Sequence, residues 1–94
     1  MRQIIFSGQY KKDLKLARRR NLPENELNDV IFKLASDIPL PSEKKDHPLS
    51  GNYSGYRECH IQPDWLLIYR KKDDGELHLL DLVRTGTHSD LFKK

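Results

Sequence analysis

Apolar and polar positions follow distinct periods along this chain. Gln3-Ile4-Ile5-Phe6 predicts a short strand, and Ser7 behind it offers a side-chain oxygen suited to capping a helix. Tyr10, Leu14 and Ala17 recur at i, i+4 and i+7, so residues 8–20 predict a helix with one apolar stripe. Asn21-Leu22-Pro23 breaks it, and Pro23 is placed to open the next. Leu27, Val30, Ile31, Leu34, Ala35 and Ile38 give the clearest helical period. Glu24 and Glu26 lie in its first turn, where the helix dipole favours anions, and Pro39 and Pro41 end it. Residues 42–54 are polar and hold Pro48, Gly51 and Ser54, which predicts a long loop containing His47. Beyond it the period changes to two. Tyr56, Glu58 and His60 share one face of a strand, with Arg57, Cys59 and Ile61 on the other. Gln62-Pro63-Asp64 turns the chain, Trp65 to Arg70 is a second strand, Asp73-Asp74-Gly75 signals a hairpin, and Leu77 to Arg84 is the last strand. The order implies one α+β domain over residues 1–94. Its parts are an N-terminal strand, two helices, then an antiparallel three-strand meander, with the helices packed on one face of the sheet.

Composition agrees with that picture. The chain has 94 residues, a third of them charged and 36% apolar, enough for one modest core under a charged surface. No apolar run reaches membrane-spanning length, and the N-terminus lacks the positive-apolar-small pattern of a secretion signal. With Cys59 as the single cysteine, these features lead us to expect a cytoplasmic protein without a membrane partner. The net charge of +3 is unevenly spread. The cations Lys11, Lys12, Lys15, Arg18, Arg19 and Arg20 crowd the first helix, where they suit either a polyanion or a plain solvated face.

The candidate chemistry lies in three histidine segments: Asp46-His47-Pro48-Leu49, Cys59-His60-Ile61-Gln62-Pro63-Asp64-Trp65, and the tail Arg84-Thr85-Gly86-Thr87-His88-Ser89-Asp90-Leu91-Phe92. RNA can be cut by its own 2′-hydroxyl if one group takes that proton, another protonates the 5′-oxygen, and a cation meets the charge growing on phosphorus. The nucleophile is tethered beside its target, so no metal is needed in principle. Histidine fits either proton-transfer role, because its ordinary pKa of about 6.5 lies near cellular pH. His47, His60 and His88 are the candidates, with Asp64 to orient one of them, Arg84 to hold the phosphate, and Phe92 to stack on a base. Each also has a plain reading. His47 is explained as a solvated loop residue, His60 as a hydrogen-bonded surface residue, and Asp64 by turn chemistry. Trp65 reads as core, His78 as a strand-face residue and Cys59 as a small strand residue. A zinc site from the histidines and Asp64 ranks below a metal-free site, because no compact ligand pair such as His-x-x-x-His occurs.

These segments, together with Ser7-Gly8-Gln9-Tyr10-Lys11-Lys12-Asp13, closely resemble the YafQ branch of the RelE-type bacterial toxins, and the resemblance covers essentially the whole chain. It implies two helices on an antiparallel sheet and a metal-independent endoribonuclease that needs no cofactor and cuts messenger RNA in the decoding site of the 70S ribosome. It also implies a cognate antitoxin that binds and silences the toxin, expected to be acidic where it binds. The family's catalytic histidines and aspartate match His47, His60, Asp64 and His88, and its stacking aromatic matches Phe92. His88 is then expected as general acid and His60 or His47 as general base. Lys11, Lys12, Lys15, Arg18, Arg19 and Arg20 would dock on ribosomal RNA. Two alternatives stay open: a metal-dependent hydrolase using the same side chains, and a non-catalytic module of the same fold, such as a gyrase poison or an RNA-docking protein.

Overall fold

A computed structural model describes residues 1–92. Strand β1 (Gln3–Phe6) leads into helix α1 (Gly8–Arg19), and α2 (Glu24–Ala35) follows. Then come the two-residue strand β2 (His47–Pro48), β3 (Arg57–Gln62), β4 (Trp65–Asp74), β5 (Leu77–Gly86) and the short helix α3 (His88–Leu91). Ser7 caps α1 as its position suggests: its hydroxyl oxygen accepts from the Tyr10 N–H at 2.9 Å and donates to the Val83 carbonyl at 2.8 Å. That second bond ties the start of α1 to β5. Among the described residues, no helix is long and apolar enough to cross a membrane.

The fold is α+β, with strand order β1-β5-β4-β3-β2. The predicted meander is present, but the sheet is not wholly antiparallel, because β1 joins it beside β5 in parallel register from Gln3↔Leu79 to Phe6↔Leu82. Strand-to-strand direction here depends on the helical crossover over one face, and a four-residue apolar run carries no sign of it. The predicted loop is also more structured than expected. It holds two 3₁₀ turns, and His47 and Pro48 pair with Glu58 and Arg57. The two long strands run further than their apolar portions, because the hairpin continues their pairing through polar positions to Asp73↔His78 and Asp74↔Leu77. Gly75 sits at the turn with φ of +60°, a conformation that costs glycine little.

Two apolar layers cover the sheet. On one face the helices bury Leu27, Val30, Leu34 and Ala35 against Cys59, Ile61, Leu67, Tyr69, Leu80 and Leu82. Trp65 belongs to this core, and its indole N–H donates to Thr85 Oγ1 at 2.9 Å. On the opposite face Leu66, Ile68 and Leu91 form a smaller cluster with Tyr53, Tyr56 and Phe92 packed against it. This second cluster seats α3 at the end of β5. A register shift in the β4–β5 pairing, from Tyr69↔Leu82 to Ile68↔Arg84, inserts Val83 as an extra residue. The insertion reverses the parity downstream, so Arg84 stands opposite Ile68 and Thr85 opposite Leu67.

Candidate active site

The alternation of β3 sends Cys59 and Ile61 into the helix-side core and leaves Glu58 and His60 on the other face. Pairing of β2 with β3 sets His47 opposite Glu58. The turn after β3 offers Asp64, and β5 delivers His88 as the first residue of α3. The sequence segments that looked promising therefore meet. The His60 and His88 ring centroids lie 5.8 Å apart, and those of His47 and His60 6.5 Å apart.

Each outer histidine is held by one nitrogen. His47 Nδ1 lies 2.6 Å from the carbonyl oxygen of Lys45, which can only accept, so Nδ1 carries the hydrogen. Its Nε2 faces Glu58 Oε1 at 3.6 Å. His88 Nδ1 lies 2.6 Å from Asp64 Oδ1, and the His88 backbone N–H donates to the same oxygen at 3.0 Å. That backbone bond, followed by the imidazole, holds the Asp64 carboxyl below its ordinary range. An ionised Asp64 accepts from Nδ1 and leaves Nε2 of His88 outside that bond.

The supports behind these side chains are explicit. Asp46, beside His47, accepts from the Tyr69 hydroxyl at 2.7 Å and from Arg57 Nε at 3.2 Å, which pins β2 to the sheet. Thr87 and Asp90 cap α3 reciprocally: Asp90 N–H donates to Thr87 Oγ1 at 3.1 Å, and Thr87 N–H donates to Asp90 Oδ2 at 3.0 Å. Arg20, the residue that follows α1, grips Asp90, with Nη1 2.7 Å from Oδ2, and holds its carboxyl well below the usual range.

The other expected residues divide. Arg84 reaches this end of the sheet, but its Nε and Nη2 donate to Asp13, each at 3.0 Å, so one edge of the guanidinium is committed within the protein. Phe92 is half-buried and packs edge-on against Tyr53 at 5.9 Å between centroids. In the basic helix, Arg18 pairs with Glu24 and Arg20 with Asp90. Lys11, Lys12, Lys15 and Arg19 are exposed and form no ion pair among the described residues. Cys59 is fully buried, which pushes its thiol up to about 12, so it is no nucleophile. His78 pairs with Asp73 on the β4–β5 hairpin, outside the cluster.

Sequence reasoning missed Glu58. It is buried, and its Oε1 lies 3.5 Å from His60 Nε2 as well as near His47. The alternation of β3 already put it beside His60, but an acid on a strand face carries no functional signal until β2 and α3 close around it. Glu58, His60 and His88 each offer a ligand atom within 4.8 Å of the others, so this oxygen and nitrogen donor set has the spacing to take a borderline cation such as zinc or copper.

The chain is similar to known proteins in both sequence and fold. Residues 2–93 match the family described as a bacterial toxin of a type II toxin–antitoxin system, YafQ. The mRNA interferase toxin YafQ of Escherichia coli K12 is 48% identical over 92 residues, 97% of this chain and 96% of that protein. YafQ in the crystal structure of the E. coli DinJ–YafQ toxin–antitoxin complex superposes with a TM-score of 0.86 at 48% identity, covering 97% of each chain. A metal-bound toxin from Helicobacter pylori superposes with a TM-score of 0.89 at 41% identity, over 98% of this chain and all of that one. With a family match spanning nearly its whole length and relatives alike in sequence and fold, this chain belongs to the YafQ family of type II toxins.

Proposed function

We propose that this protein is a messenger RNA interferase that cleaves RNA on the ribosome by attack of the RNA's own 2′-hydroxyl. The observation that carries this reading is the convergence of His47, His60 and His88 on one cleft, with Asp64 fixing the ring of His88. His47 or His60 takes the 2′-hydroxyl proton. The 2′-oxygen bonds to phosphorus, the bond from phosphorus to the 5′-oxygen breaks, and His88 gives its Nε2 proton to that leaving oxygen. The products are a 2′,3′-cyclic phosphate and a 5′-hydroxyl. The part of the Arg84 guanidinium not bonded to Asp13 faces the growing phosphorane charge, and Phe92 stacks on a base. Lys11, Lys12, Lys15 and Arg19 dock on ribosomal phosphates. Arg18 and Arg20 contribute charge there with their guanidinium groups already bonded to Glu24 and Asp90. A relative crystallised with its antitoxin DinJ supports a cognate antitoxin for this chain as well.

Expression of His88→Ala in bacteria is the first test. The variant is expected to permit growth where wild type arrests it, and an arrest as strong as wild type would refute the assignment. A metal-dependent hydrolase remains the competing reading, favoured by the Glu58, His60 and His88 donor set and by the metal-bound relative. The proposed chemistry expects cleavage undiminished in chelator, and inhibition by added zinc or copper ions that occupy the proton-transfer nitrogens. Cleavage abolished by chelator and restored by zinc would establish the competing reading.

A further inference from the structure

Resting on the proposed function, we infer that a cavity opening beside His60 takes the base of a nucleotide next to the scissile phosphate and recognises it by its exocyclic amine. The cavity measures about 430 Å³, within the range of roughly 300–1,000 Å³ for small-ligand sites. His60 lines it, which makes it continuous with the cleft, and its other walls include Gln62, Pro63, Glu26, Glu43 and Lys44. The short β2 leaves room for it, because β2 pairs only with Arg57 and Glu58 and leaves the edge of β3 unpaired beyond them. The 3₁₀ turn Ser42–Lys44 and the first turn of α2 close round that open edge. Neither His88 nor Phe92 lines the cavity, so a base seated there and a base stacked on Phe92 belong to different nucleotides.

A bulge in β3 aims the polar groups. Plain alternation would put Gln62 on the face of His60. The β3–β4 register shifts instead from His60↔Leu66 to Gln62↔Trp65, so Gln62 shares the helix-side face of Trp65. There its Nε2 donates to Glu26 Oε2 at 3.0 Å, which fixes the amide and leaves its oxygen as an acceptor. Glu26 and Glu43 form no ion pair among the described residues, and the Lys44 ammonium donates to the Ile61 carbonyl at 3.1 Å. The cavity therefore presents acceptors, one amide oxygen and two carboxylates, beside the apolar ring of Pro63, on which a flat base can lie. Two carboxylates repel a phosphate, so the occupant is a base and not the backbone. Adenine, guanine and cytosine each carry an exocyclic amine that donates to such acceptors, and uracil carries none. Gln62, Glu26 and Glu43 are thus specificity-determining residues, separate from the histidines of the cleft.

Single-turnover cleavage of messenger RNA on programmed ribosomes tests this. Each nucleotide flanking the cut bond is replaced in turn by the analogue that lacks only its exocyclic amine: purine riboside for adenosine, inosine for guanosine, zebularine for cytidine. For wild type, replacement at one of the two positions is expected to slow cleavage about tenfold. Replacement at the other, where stacking on Phe92 makes no use of the amine, should leave the rate unchanged. Glu43→Ala/Gln62→Ala should cut the amine-bearing message about tenfold more slowly than wild type and the analogue at the wild-type rate, so that the preference disappears. If the double variant does not fold, Glu43→Ala, an exposed change in a 3₁₀ turn, carries the same comparison with a smaller fall in the preference. Wild type indifferent to the amine at both positions, or a folded variant with the wild-type preference, would overturn the inference. Either result would leave the proposed function standing, because wild type would still cut the unmodified message. Failure of wild type to cut that message would remove the proposed function, and the inference with it.

Discussion

At the scale of single residues, the cleft gives the histidines different carboxylate neighbours, a difference that the sequence does not display. His88 is fixed by an ionised, exposed carboxylate, Asp64, while His47 and His60 flank the buried Glu58. Asp64→Asn swaps a pure acceptor for an amide that can also present a donor to Nδ1, which spoils the tautomer that frees Nε2. Its single-turnover rate is expected to fall about 100-fold or more with ribosome binding intact, measured on the same programmed complexes. That His47, His60, Asp64 and His88 belong together was legible because histidine, and aspartate after a turn, carry chemical signals. Glu58 was not, since its meaning depends on which strand lies beside it.

At the scale of elements, α3 is a short helix whose placement decides where His88 stands. The Thr87–Asp90 capping box, the grip of Arg20, and packing of Leu91 into the second apolar cluster all fix it. Asp90→Ala removes the acid half of the box and the anchor for Arg20. It is expected to cost about 1 kcal/mol in urea denaturation and to reduce cleavage by displacing His88. Gly86 adds a steric requirement, because a Cβ there would lie 3.0 Å from the Cβ and Oδ2 of Asp90. Gly86→Ala should therefore behave as a weaker Asp90→Ala in both measurements. The helices and the meander were readable from their periods, since each buries one face. The two-residue strand β2 was not, nor was the parallel direction of the predicted strand β1. Two residues make no period, and direction follows from the crossover rather than from the run. The role of Arg20 was likewise hidden. In sequence it is one cation among six in the basic stretch, and its partner lies 70 residues away.

At the scale of the whole molecule, the distribution of charge makes predictions for stability and for the proposed docking. Asp37 is pulled down to about 2 by its bond from Lys71 and then by Arg2, and Asp73 lies below its ordinary range because of Arg2. A carboxyl depressed on folding contributes stability above its unfolded pKa, about 3.9 for aspartate, and loses it as pH falls through the folded value. The urea midpoint is thus expected to hold steady down to about pH 4 and to fall from there towards about pH 2. The cations of α1 that form no ion pair among the described residues make a separate prediction. Reversing Lys11, Lys12 and Lys15 should weaken ribosome binding and flatten its dependence on log salt. The slope should change by about one unit for each phosphate no longer neutralised, and the cleavage rate constant of bound complexes should stay the same.

The most direct test of the central claim is single-turnover cleavage of ribosome-bound messenger RNA by wild type and His88→Ala in chelator, with the product ends identified. Wild type is expected to yield 2′,3′-cyclic phosphate and 5′-hydroxyl ends, and His88→Ala to bind equally well but cleave at least about 100-fold more slowly. Equal rates for the two proteins, or cleavage that chelator abolishes, would contradict the claim.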